Sequence, residues 1–217
     1  MDAGSYAAWL AIVGVAGIVI VGALGVLNAL GVLPIAFDLD DEYTIPAFWS
    51  ALLLVAFAFE AYRLAQTHEG RPRFRLMVVA GFIVYLSLDE LFSIHERIDF
   101  HTGVDWQLLY VPLMLAFIWS LWQVAQEMGT RSAETMMIVA GLAAWVVAQF
   151  LEALAYSQVI PSMIDLETMS RAEIHEITDS LLYNVMSITE ELLEMGGSLI
   201  LAVAFARAVS RRRAAQH

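Results

Sequence analysis

Residues 7–33 read AAWLAIVGVAGIVIVGALGVLNALGVL, and none of them is ionisable. As a helix rising ~1.5 Å per residue, this run is about 40 Å long. The hydrocarbon core of a bilayer is only about 30 Å thick. Comparable apolar runs recur at 47–66, 76–98, 107–128, 136–158 and 181–209. A soluble chain of 217 residues has no interior large enough to hide so many, and the composition agrees, with 60% hydrophobic residues. The first run exceeds the ~7–15 apolar residues of a signal peptide, and Asp2 stands where a basic leader segment would lie. It is expected to stay in place as a first transmembrane helix. The predicted fold is all-α: a single membrane domain over residues 1–217, built as a polytopic six-transmembrane-helix bundle.

Arginine sets the expected orientation. All 11 basic residues are arginine. Arg71, Arg73 and Arg75 separate the second and third runs, Arg131 the fourth and fifth, and Arg207 with Arg211, Arg212 and Arg213 closes the sixth. These fall on one side if both termini are cytoplasmic, as the excess of basic residues in cytoplasmic loops requires. The expected location is therefore the inner (cytoplasmic) membrane. Arg97 and Arg171 are exceptions. Trp9, Trp49, Trp106 and Trp122 lie near run ends, where interfacial anchors belong.

The net charge of −12 argues against nucleic acid or anionic lipid headgroups as partners. The absence of cysteine excludes disulfides, thiolate metal sites and cysteine nucleophiles. The absence of lysine excludes a Schiff base. No phosphate-binding glycine loop, dinucleotide fingerprint or Ser-His-Asp arrangement is present. Ser170-Arg-Ala-Glu173 has the capping-box pattern that starts a helix leading into the last run.

The acidic residues inside the runs carry the chemistry. At ~1.5 Å per residue, Asp89 and Glu190 lie about 14 Å from the outer ends of their helices, and Glu152 about 9 Å. On an unbroken helix, Asp89, Ser93 and Glu96 share a sector of roughly 60°. Glu190, Glu191, Glu194 and Ser187 share roughly 100°, with Asn184 adjoining. Glu90 points away from Asp89 by ~100°. Ala140, Ala144 and Ala148 precede Glu152 at four-residue spacing; small residues so spaced let helices approach closely, which aims Glu152 into an interface, with Gln149 beside it. An ionised carboxylate at mid-membrane costs ~2.5–3.5 kcal/mol on insertion scales. No arginine lies at this depth. Glu60 and Arg63, near the opposite end, are i,i+3 and expected to pair with each other. The carboxylates therefore bind metal, hold protons or line a wet cavity.

Asp89, His95, Glu96, Glu152, Glu190, Glu191 and Glu194 form the candidate metal site, with Glu90, His101 and His175 as additional candidates. Ser93, Gln149, Asn184 and Ser187 are its candidate supporting residues. Histidine with carboxylates and no cysteine suits a divalent Fe, Mn or Zn ion better than Mg or Ca. Such a centre would activate water or dioxygen against a lipid-soluble substrate. The alternatives are a proton or cation transporter using the same carboxylates, and a structural or assembly subunit of a membrane complex or homo-oligomer. A polar network of protonated carboxylates tying the helices together is the plainest account.

Ser87-Leu-Asp-Glu90, Ser93-Ile-His-Glu96 and Glu190-Glu-Leu-Leu-Glu-Met-Gly196 together resemble a group of uncharacterised bacterial multi-pass membrane proteins. That group pairs an LDE…HE segment with a later EExxEMxG segment and carries a Glu in the span between, which Glu152 matches. The resemblance covers the third to sixth runs. It implies a shared site and no particular activity.

Overall fold

The computed structural model describes residues 3–39, 43–95, 97–98, 106–159 and 181–215. Among the described residues there are six long helices: α1 (Ala3–Ala29), α2 (Ile45–Ala65), α3 (Gly70–Phe92), α4 (Trp106–Met128), α5 (Ala133–Val159) and α6 (Leu181–Ala214). Ser5–Ala29, Ile45–Ala65, Ala133–Leu154 and Leu182–Ala214 are each long and apolar enough to cross a membrane. α3 opens on Arg71, Arg73 and Arg75 and closes on Asp89 and Glu90, which shortens its apolar stretch.

Local signals place the helix ends. Thr44 caps α2 by accepting from the Ala47 N–H at 3.3 Å, and Pro46 sits in the first turn, where a missing N–H is harmless. Ser132 caps α5 by accepting from the Thr135 N–H at 3.1 Å. Gly31, at φ +70°, turns the chain out of α1. α1 therefore stops four residues before the apolar run does. Asn28 Nδ2 then donates to the Leu33 and Pro34 carbonyls at 3.1 and 3.0 Å, fixing the turn.

α6 is the central element, packing against α5, α2 and α1. Met195, Leu201, Ala202, Ala204, Phe205 and Ala206 are buried on all sides of it. Cross-helix contacts run antiparallel between chain neighbours. Tyr6 meets Glu60, Arg75 meets Glu127, and Trp145 meets Glu194. α1 receives side chains at its glycines: Leu199 at Gly14, Trp49 at Gly17, Leu192 at Gly22 and Leu39 at Gly25. α5 and α6 come closest at Gly141 and Gly197, where a Cβ on Gly197 would lie 2.8 Å from the Gly141 carbonyl oxygen.

The face of α5 that packs inward differs from the alanine stripe expected from the sequence. Ala140 is exposed, while Glu134, Ile138, Gly141, Trp145 and Ala148 are buried. A strict four-residue step drifts about 40° per step around a 3.6-residue helix. Alternating steps of four and three stay on one face, and that track still reaches Glu152.

Glu60, fully buried, accepts from Arg63 at 2.8 and 3.0 Å and from the Tyr6 hydroxyl at 2.9 Å. The i,i+3 pairing expected from the sequence is therefore made, and Tyr6 extends it to α1. Glu134 is paired with Arg211 at 2.5 Å and Arg207 at 3.5 Å. These pairs gather at the arginine-rich end of the bundle. Between them and the opposite end lies an aromatic layer drawn from five helices. Ring centroids are 5.0 Å apart for Phe82–Phe117, 5.9 Å for Phe117–Trp145, 6.5 Å for Trp145–Phe57 and 5.1 Å for Phe57–Phe205.

Candidate functional site

α3 ends sooner than its apolar run suggests. Ser93 adopts the left-handed conformation (φ 48°, ψ 48°), which breaks the helix before the chain resumes helical geometry at Ile94 and His95. The break folds His95 back over Asp89. Asp89 Oδ1 accepts from the His95 backbone N–H at 2.8 Å, and Asp89 Oδ2 lies 3.3 Å from His95 Nδ1. One carboxylate thus satisfies a backbone donor freed by the break and orients the imidazole. Tyr43 adds support, its hydroxyl donating to the Phe92 carbonyl at 3.4 Å and accepting from Arg97 at 2.9 Å.

Helical-wheel angles cannot be carried through the left-handed Ser93, and Glu96, expected to share the sector of Asp89 and Ser93, lies outside the described residues. Asp89 is buried and engaged with His95, and Tyr110 lies close enough to interact with it electrostatically. Tyr110 in turn contacts the Tyr85 hydroxyl. The result is a polar chain, Tyr85–Tyr110–Asp89–His95, running up α3 and across to α4. The sequence signal for Tyr85 was its position one helical turn before Asp89. Nothing in the sequence announced Tyr110.

Glu194 on α6 is hydrogen-bonded to α5 and lies within electrostatic reach of α3. Its Oε1 accepts from Gln149 Nε2 on α5 at 3.1 Å. Glu90 on α3, Glu152 on α5 and His95 all stand close enough to interact with it electrostatically. Glu90, an additional candidate despite its wheel angle, lies in the electrostatic neighbourhood of Glu194. The backbone beneath Glu194 is fixed as well: its carbonyl accepts from Trp145 Nε1 at 3.1 Å and from the Ser198 hydroxyl at 2.8 Å. Glu90, His95, Glu152, Glu190, Glu191 and Glu194 are each partly exposed. Ser187 is buried and Asn184 partly so on the same helix. Glu96, His101 and His175 lie outside the described residues.

Among the described residues, no three His, Asp or Glu side chains are already gathered around a point that would hold a metal ion. The acidic groups share a neighbourhood but stand apart on flexible side chains. His95 differs from the glutamates in that a carboxylate of its own helix holds its ring, with Nδ1 turned to Asp89.

Four transmembrane-length helices with exposed apolar flanks define an all-α membrane protein. Residues 7–209 match the family described as a domain of unknown function, DUF8692, and the chain belongs to that family. No curated protein and no solved structure matches it.

Proposed function

We propose that this is a six-span protein of the cytoplasmic membrane, both termini inside, whose carboxylate cluster faces the extracytoplasmic side and binds a divalent metal ion. The observation that carries the reading is the Asp89–His95 pair. A carboxylate held against one imidazole nitrogen orients the ring and raises its basicity, as the supporting carboxylate does in carboxylate–histidine–metal triads. Glu90, Glu152 and His95 each stand within electrostatic reach of Glu194, and the three glutamates would supply the anionic oxygens. Glutamate side chains rotate readily, so ion binding would draw them inward. Glu190, Glu191 and Glu96 are the nearest further oxygen donors in sequence. Imidazole with carboxylates favours Fe, Mn or Zn. Such a centre would activate water or dioxygen against a lipid-soluble substrate arriving from the bilayer.

The test is metal analysis of protein purified without chelators. A stoichiometric metal is expected in the wild type, lost in Glu194→Ala and in His95→Ala. A folded wild type devoid of metal overturns the reading. One observation favours a second reading: the Tyr85–Tyr110–Asp89–His95 chain would suit reversible proton binding. Metal-independent proton flux into liposomes, abolished by Asp89→Asn, would establish that instead.

A further inference from the structure

At the arginine-rich end, α1, α5 and α6 enclose a groove of about 360 Å³. Its floor is small and apolar: Ala7, Ala8 and Ala11 of α1 face Val203 of α6. Its rim carries Arg207, Ser210 and Arg211. The two arginines share a single carboxylate, Glu134, so the rim keeps an excess positive charge. Arg207 reaches Glu134 only through Nε, at 3.5 Å, and its side chain is 50% exposed. Arg212 and Arg213 follow in the same turn and reinforce the potential. Beside the groove Trp9 and Ile12 are exposed, so its apolar side opens where α1 faces lipid.

We propose that this groove holds one anionic phospholipid. The phosphate sits on the guanidinium groups of Arg207 and Arg211 with the Ser210 hydroxyl beside it, and an acyl chain lies along Ala7, Ala8 and Ala11. Three features select this ligand. A guanidinium fork matches phosphate oxygens in geometry as well as charge. Basic pockets between transmembrane helices at the membrane surface attract anionic headgroups. A floor of alanines leaves room for a chain that larger side chains would fill. The chain's overall negative charge does not oppose this, because the acidic excess clusters elsewhere and exposed charges farther than about 10 Å are screened.

Native mass spectrometry of the delipidated protein, titrated with dioleoyl-phosphatidylglycerol or dioleoyl-phosphatidylcholine, tests the proposal. The wild type should bind the glycerol lipid more tightly. Arg207→Gln should weaken that binding about fivefold, the factor matching ~1 kcal/mol per basic residue near a lipid surface. Ala8→Phe should weaken both lipids by filling the floor. Thermal unfolding in detergent confirms that both variants are folded. Equal binding of the two lipids, or unchanged binding in both folded variants, overturns the proposal. Loss of the preference in the presence of millimolar inorganic phosphate with the lipid still bound would also overturn it, since the rim would then read free phosphate rather than a lipid.

Discussion

Asp89 shows how one residue acquires two duties. It terminates α3 by accepting the His95 N–H, and it orients the His95 ring. The two duties separate on mutation. Asp89→Asn keeps an acceptor for the backbone N–H but turns an amide toward Nδ1. We expect nearly wild-type thermal unfolding with metal affinity reduced about 10–100-fold, the usual effect of losing such a supporting carboxylate. Asp89→Ala loses both contacts and should cost roughly 1–3 kcal/mol of stability in denaturant titrations. Ser93 gives a second prediction: at φ 48°, Ser93→Gly should unfold at or above the wild-type temperature, whereas Ser93→Val should lose about 1–3 kcal/mol. The sequence revealed which carboxylates lie deep, because depth is a matter of counting. It hid the relation of Asp89 to His95, because a serine is no signal for a left-handed residue and every angle beyond it was computed on a helix that does not continue.

At the scale of elements, the contact between α5 and α6 decides how the cluster is held. Gly141 and Gly197 bring the two backbones together, Trp145 bonds to the Glu194 carbonyl, and Gln149 reaches the Glu194 carboxylate. Adjacent glycines on α6 make a matched test. Gly197→Ala drives a Cβ to within 2.8 Å of a carbonyl oxygen, whereas a Cβ at Gly196 meets nothing within 4 Å. Gly197→Ala should cost about 1–3 kcal/mol and Gly196→Ala should be neutral or stabilising by about 1 kcal/mol, measured by unfolding in detergent. The sequence suggested that α5 packs through small residues and ends with Glu152 inward. The face itself was misread, because four-residue spacing of alanines resembles a helix interface while drifting around the helix. The buried track, which includes a tryptophan and a glutamate, is less conspicuous.

For the whole molecule, helical class and charge distribution were the most legible features. Among the described residues most arginines fall at one end of the bundle, Arg97 excepted, and the Glu60–Arg63 and Glu134–Arg211 pairs lie at that same end. The chain has no cysteine, so a single introduced one reports its side of the membrane without background. Tyr43→Cys should react with a membrane-impermeant maleimide added outside intact cells, and Gln66→Cys only after the cells are opened. Reaction of both from the same side would refute the alternation on which the six-span reading rests. The Gln149–Glu194 hydrogen bond lay beyond the sequence, since it depends on the register of two helices and not on either one.

The aromatic layer beneath the carboxylates has an electrical consequence. Moving one elementary charge through a membrane potential costs or yields about 2.3 kcal/mol per 100 mV, in proportion to the fraction of the field crossed. Phe57, Phe117 and Phe205 are almost wholly buried under the cluster, so most of the voltage should drop across that hydrocarbon stopper rather than above it. An ion entering from the carboxylate end would then cross little of the field. Its occupancy would follow the chemistry of the compartment it came from, largely independent of whether the cell is energised.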